Sequence, residues 1–146
     1  MIGDRTTVLF VCSGNICRSP YAEVAARRIL DPARFDVSSA GTIATPGLMA
    51  TETMREVGAE RGLDLADHRA RHLTEVPAPD WVFGMETHHL VSSRSAFPDL
   101  PACRIQLLDA PRNVPDPYGR DRIAYETSAD QIDAALERLV PVLDRD

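Results

Sequence analysis

Short apolar runs alternate along this chain with longer segments whose apolar residues recur at helical spacing. Thr7-Val8-Leu9-Phe10-Val11 is continuous, β-branched and aromatic, the pattern of a strand buried on both faces. Residues 21–30 follow as a helix, with Ser19 as its expected N-cap and Pro20 at the first helical position. Asp31-Pro32 stops it, and Phe35-Asp36-Val37-Ser38-Ser39 alternates as a second strand. After a loop over 40–47, a helix over 50–60 pairs Met54 with Val57, and Gly58 weakens its end. Residues 61–79 carry His68, Arg69, Arg71 and His72, close with Pro77 and Pro79, and read as irregular. Trp81-Val82-Phe83, running into Gly84-Met85, is a third strand; a short helix capped by Thr87 is expected to reach Ser95, and a fourth strand to span 104–108. Prolines keep 109–118 irregular. The last helix, 123–143, places Ile132, Ala135, Leu136, Leu139, Val140 and Leu143 on one face, and Pro141 is expected to bend or end it.

Strands alternating with helices predict an α/β fold: a four-stranded parallel sheet with helices on both faces, right-handed crossovers and a phosphate-binding loop after the first strand. With no internal repeat, long linker or low-complexity tract, residues 1–146 are expected to form one domain. Ligands of such sheets bind beyond the carboxyl ends of the strands, where strand order reverses. The loop at 12–19 follows the first strand and the loop at 109–119 follows the fourth, so both reach one crevice.

The loop Cys12-Ser13-Gly14-Asn15-Ile16-Cys17-Arg18-Ser19-Pro20 is where chemistry is expected. It joins a buried strand to a helix N-terminus, a place where backbone N–H groups favour an anion. Gly14 is read as the residue that lets it turn. Wrapped around a tetrahedral oxyanion, its amides from Ser13, Gly14, Asn15, Ile16 and Cys17 form a nest, Arg18 grips two oxygens, and Cys12 sits beneath the phosphorus as a thiolate. A Walker A loop requires Gly-Lys-Ser/Thr and a dinucleotide fingerprint three spaced glycines; neither occurs here. The bland alternative is a strand-to-helix turn around a buried, inert cysteine.

Composition narrows the setting. A net charge of −6 argues against nucleic acid as a partner, while a focused local field still suits an anionic substrate. No apolar run approaches the ~20 residues of a membrane span. Met1-Ile2-Gly3-Asp4-Arg5 lacks a signal-peptide pattern, so a cytoplasmic location is expected. Three cysteines, Cys12, Cys17 and Cys103, suggest neither a disulfide framework nor a zinc site.

Val11 to Pro20 resembles the signature of the low-molecular-weight protein tyrosine phosphatases, and Ser39-Ala40-Gly41-Thr42, His68-Arg69-Ala70-Arg71, Met85-Glu86 and Asp116-Pro117-Tyr118-Gly119 match further on in order. The resemblance covers nearly the whole chain. It implies a metal-independent, cofactor-free phosphomonoester hydrolase in which Cys12 is the nucleophile, Arg18 binds the phosphoryl group and Asp116 is the acid, then the base. It also implies that Asn15, Ser39 and His68 form a network holding the loop, that Ser19 donates to the thiolate, and that Cys17 forms a reversible protective disulfide with Cys12. By local sequence alone Asp116-Pro117 is a plain turn, Ser39 a strand end and His68 an ordinary histidine. A zinc site drawn from His68, His72, His88 and His89 is disfavoured, because they do not fall on one clear helix.

The implied substrate is a phosphotyrosine protein or other aryl phosphate, with a cognate tyrosine kinase as a possible partner. Tyr118 supplies one wall of the pocket, but the facing stretch Ile43-Ala44-Thr45-Pro46-Gly47 has no aromatic residue, so Ile43 replaces half of the usual clamp. Ile16 stands where the related protein-arginine phosphatases have threonine, which favours an aryl ester. Other readings stay open. A thiol-dependent arsenate reductase shares the loop but typically relays the disulfide through a further cysteine pair near the middle of the chain, and residues 18–102 contain no cysteine. A non-catalytic phosphopeptide-binding module needs neither Cys12 nor Asp116, and a disulfide oxidoreductase usually has C-x-x-C.

Overall fold

The structure, a computed structural model, describes residues 4–145. The leader reading over residues 1–5 therefore rests partly on residues outside the described range. Strands β1 (Thr6–Cys12), β2 (Phe35–Gly41), β3 (Trp81–Gly84) and β4 (Ile105–Leu107) form one parallel sheet in the order β2-β1-β3-β4. Val8, Leu9, Phe10 and Val11 of the central strand are fully buried, which is why β1 reads as a continuous apolar run.

Helices α1 (Arg18–Ile29), α2 (Glu52–Glu60), α3 (Thr87–Ala96) and α4 (Arg122–Asp144) cover both faces. On one, Val8, Phe10 and Phe83 pack with Tyr21 and Ala22 of α1, Met54 and Val57 of α2, and Ile132 and Leu136 of α4. On the other, Leu9, Val11, Val82 and Ile105 meet Leu90, Phe97 and Leu73. The register pairs Cys12 with Gly41 and Val11 with Gly84. The chain after Cys12 thus emerges at the carboxyl edge between β1 and β3, where strand order reverses. Among the described residues no helix is long and apolar enough to cross a membrane.

Several boundaries differ from the sequence reading. Ser19 is not the N-cap of α1: Cys17 holds that position, and Ser19 and Pro20 are the second and third helical residues. The phosphate loop runs straight into the helix, and Pro20 still lies in the first turn, where an N–H has no helical partner to lose. Thr51 caps α2, and Glu86 rather than Thr87 precedes α3. The predicted irregular stretch contains a 3₁₀ turn at Leu73–Glu75, and another at Ala102–Arg104 delays β4 to Ile105. Pro141 does not end α4, which continues to Asp144; burial of Leu143 against the core offsets the hydrogen bond that proline removes.

Candidate active site

Within the loop after β1 the left-handed residue is Asn15, at φ 56°, not Gly14. Gly14 has ordinary φ, and a Cβ there would meet only Ile16 side-chain atoms, the nearer at 3.4 Å. Asn15 suits the strained position because its own amide fastens it. Asn15 Nδ2 donates to Ser19 Oγ at 2.8 Å and to Ser39 Oγ at 2.9 Å, Oδ1 accepts from the Arg71 N–H at 2.9 Å, and the Asn15 carbonyl accepts from His68 Nε2 at 2.6 Å. Burial lowers the pKa of His68, so the neutral ring carries its proton on Nε2. Glycine is indispensable instead at position 41, across from Cys12 on β2: a Cβ there would lie 2.5 Å from the Ser13 carbonyl oxygen and 2.9 Å from the Asn15 nitrogen.

The hydrogen bonds have a direction. Ser39 Oγ donates to Glu23 Oε1 at 2.6 Å, which leaves it to accept from Asn15. Ser19 Oγ likewise accepts from Asn15, so its O–H is free to donate to Cys12 Sγ, 2.9 Å away. Asn15, Ser19, Ser39 and His68, all expected by resemblance, are thus brought together beneath Cys12. Glu23 and Arg71 complete the network; Arg71 is part of the matching stretch His68-Arg69-Ala70-Arg71 but carries no role from sequence, and the only signal Glu23 offers is its place one helical turn beyond Ser19.

Arg18 is 1% exposed, and a buried guanidinium must be paired. Its Nη1 donates to the Val114 carbonyl at 2.7 Å and lies 3.0 Å from Glu86 Oε1. Nη2 approaches Asp116 Oδ2 at 3.6 Å, while Nε, also buried, has no protein partner. The Nε–Nη2 edge of the fork is therefore the open one, as side-on capture of an oxyanion requires. Neither Glu86 nor Val114 was given a role from sequence, although a buried arginine always implies an acceptor set.

Asp116 is 46% exposed at its side chain and is oriented by the Tyr118 N–H, which donates to Oδ1 at 3.0 Å. A cavity of about 260 Å³ is lined by Cys12, Ser13, Arg18, Asp116 and Tyr118, with Ile43, Thr45 and Leu48 as an aliphatic wall. No aromatic residue joins Tyr118 there. A larger cleft, about 630 Å³, lies beyond β2 with Glu23, Ser39 and His68 in its wall. It holds neither a cysteine nor Asp116, so the reactive groups mark the smaller cavity.

Cys12 and Cys17 are buried free thiols and Cys103 is an exposed one. Burial pushes the Cys17 thiol up to about 11, and Thr51 Oγ1 lies 3.5 Å from its sulfur. His68 and His72 serve different ends: His72 Nδ1 accepts from the Thr74 N–H. Glu86, His88 and His89 do place ligand atoms within 4.8 Å of one another. All the same, Glu86 is spent on Arg18 and His88, and His89 bonds Glu86 N–H through Nδ1 and Ser13 Oγ through Nε2.

Comparison with known proteins agrees with this geometry. Residues 7–146 match the family model described as low molecular weight phosphotyrosine protein phosphatase. The chain is 33% identical over 138 residues to the probable low molecular weight protein-tyrosine-phosphatase EpsP of Ralstonia nicotianae, covering 92% of this chain and 94% of that one. Among solved structures it resembles Vibrio vulnificus Wzb in complex with benzylphosphonate, with TM-score 0.83, 26% identity and coverage of 94% and 98% of the two chains. It resembles equally the YwlE arginine phosphatase from Geobacillus stearothermophilus, with TM-score 0.83, 26% identity and coverage of 96% and 94%. With its loop, its sheet order and nearly its whole length shared, the chain belongs to the low molecular weight phosphotyrosine protein phosphatase family.

Proposed function

We propose that this chain hydrolyses phosphotyrosine in proteins through a phosphocysteine intermediate on Cys12. The observation that carries the reading is the open Nε–Nη2 edge of Arg18, held by Val114 and Glu86 beside Cys12 and within reach of Asp116. In the first step the Cys12 thiolate attacks phosphorus, the P–O bond to the aryl group breaks, and Asp116 delivers its proton to the departing oxygen. In the second, Asp116 takes a proton from water, the water oxygen attacks phosphorus, and the thiolate leaves. Arg18 and the amides of residues 13–17 hold the equatorial oxygens throughout, the charge stabilisation that a metal gives in other phosphoryl transfers. Ser19 stabilises the thiolate in both directions.

Substrate choice rests on the cavity wall. Tyr118 with Ile43 and Leu48 makes an apolar slot suited to a flat ring. The Wzb relative binds benzylphosphonate, whose phenyl ring occupies the role of an aryl ester. YwlE is an arginine phosphatase of the same fold, so phosphoarginine is the competing substrate; Ile16 in the loop favours the aryl ester. A phosphotyrosine protein made by a cognate tyrosine kinase is the partner this chemistry implies, in the cytoplasm.

Hydrolysis of p-nitrophenyl phosphate, a phosphotyrosine peptide and phosphoarginine, measured in EDTA with reductant, tests the reading. Wild type turns over both aryl esters and disfavours phosphoarginine, Cys12→Ser is inactive and Asp116→Asn is severely slowed. Activity that survives Cys12→Ser would refute the mechanism, and preference for phosphoarginine would refute the substrate. Turnover of arsenate with thioredoxin, in place of ester hydrolysis, would favour the reductase reading.

A further inference from the structure

His89 is fully buried on the first turn of α3 and takes no part in the two displacements. A buried imidazole is costly unless both nitrogens are matched, and here they are. Nδ1 accepts from the Glu86 N–H at 3.0 Å, which fixes the proton on Nε2, and Nε2 lies 2.9 Å from Ser13 Oγ. Ser13 is therefore the acceptor, and its own O–H remains to be given away. That hydroxyl belongs to the residue after Cys12 and lines the phosphate cavity.

The second contact matters as much. Glu86, whose backbone His89 fastens, is the carboxylate 3.0 Å from Arg18 Nη1. One ring thus ties the loop after β1 to the residue that aims Arg18. The first turn of α3 packs directly on the end of β3: a Cβ at Gly84 would come within 3.2 Å of His89 Cβ and 2.8 Å of Leu90 Cδ2, so glycine there is what lets His89 approach. Burial, with His88 and Arg18 adding positive charge, keeps the ring neutral down to about pH 3. The donor and acceptor ends therefore keep their roles across the neutral and mildly acidic range.

We propose that His89 is a positioning residue for the phosphate cradle: through Nε2 it turns the Ser13 hydroxyl into a donor to the bound phosphoryl group, and through Nδ1 it sets the Glu86 backbone that aims Arg18. The inference rests on the phosphatase reading for its rate consequences but not for its binding consequence.

The test is a double-mutant cycle on inorganic phosphate, whose affinity is read by calorimetry and as a competitive inhibition constant, with melting temperature followed alongside. Asparagine at position 89 keeps an acceptor where Nδ1 lies and lacks the Nε2 donor; glutamine does the reverse. His89→Asn and Ser13→Ala are each expected to weaken phosphate about tenfold, the worth of one hydrogen bond to an anion, and the double variant no more than either alone. His89→Gln retains the part that depends on Ser13, so adding Ser13→Ala to it costs a further loss. Wild-type phosphate affinity in His89→Asn, with only its melting temperature reduced, would overturn the proposal, and so would effects that multiply in the double variant. Should His89→Asn fail to fold, Ser13→Ala with unchanged affinity would overturn it alone. Inactivity of wild type on aryl esters would sink the phosphatase reading and leave the calorimetric test of His89 standing.

Discussion

Arg18 Nη1 donates to the carbonyl of Val114 at 2.7 Å, so the guanidinium that faces the phosphate loop also ties down the segment carrying Asp116 two residues later. Glu86 bonds the same nitrogen from the start of α3. The loop carrying Cys12, the segment carrying Asp116 and the start of α3 are therefore keyed to one buried cation.

Arg18→Lys should lower kcat/KM by at least ~10²–10³, because an ammonium cannot hold Glu86 and Val114 while presenting a second, side-on edge to phosphate. Steady-state kinetics with p-nitrophenyl phosphate checks this. A loss below tenfold would show that charge alone, not the fork, is what the site uses.

Strain at Asn15 separates two contributions. Asn15→Ala must hold φ 56° without the amide's bonds to Ser19, Ser39 and Arg71, and is expected to lose about 3 kcal/mol of stability. Asn15→Gly relieves the backbone and should recover about 1 kcal/mol of that, with activity still impaired because Ser19 is no longer oriented. Urea unfolding of the two variants decides it, and equal stabilities would contradict a strained position.

Acid sensitivity follows from the buried histidines. Folded His89 stays neutral down to about pH 3, whereas the unfolded chain protonates it near 6.5. Between those values only the unfolded state binds the proton, so the contribution is fully present above pH 6.5 and is lost as pH falls toward 3, at up to about 1.4 kcal/mol per unit. His68, also lowered by burial, adds in the same direction. His89→Asn should lose less stability than wild type between about pH 6.5 and 5 in urea unfolding; an equal loss would mean that His89 is not held neutral.

Cys17 is expected to protect Cys12 from peroxide. The Cys12 thiolate attacks hydrogen peroxide to give a sulfenic acid and hydroxide, and Cys17 sulfur then displaces water to form the disulfide. Because burial pushes the Cys17 thiol up to about 11, this second step is slow near neutrality and quickens as pH rises. Cys17→Ser should convert thiol-reversible inactivation into partly irreversible loss. Full recovery of Cys17→Ser by dithiothreitol would rule out the protective role.

The sheet and the loop are legible in the sequence because each is written locally: an uninterrupted apolar strand, and a Cys-to-Arg loop ahead of helix-forming residues. Asp116 is not, since Asp-Pro in a proline-rich stretch reads locally as a turn, and only the family resemblance gives it a role. Of the partners that reach the loop from distant segments, Ser39 and His68 come only through the family resemblance, and the rest carry no signal of a role. Glu23 and His89 are unexceptional on their own helices, Glu86 ahead of α3 matches the family without a stated role, and only the sheet order brings β3 and α3 beside the loop after β1. Gly14 misleads for the opposite reason. A glycine in a tight loop suggests a positive φ, yet a side chain that can bond its surroundings lets Asn15 take that conformation instead. Ser19 suits a cap by its type, but the chain spends its hydroxyl on Cys12.

The central claim is a covalent bond between phosphorus and Cys12, and the most direct measurement is to trap it. Asp116→Asn, slowed in hydrolysing the intermediate, is mixed with p-nitrophenyl phosphate, quenched, digested and mapped by mass spectrometry. The account predicts phosphate on the peptide containing Cys12, bound as a thiophosphate ester and absent from Cys12→Ser. Phosphate on Ser13, Ser19 or a histidine, or turnover with no covalent label at all, would contradict it.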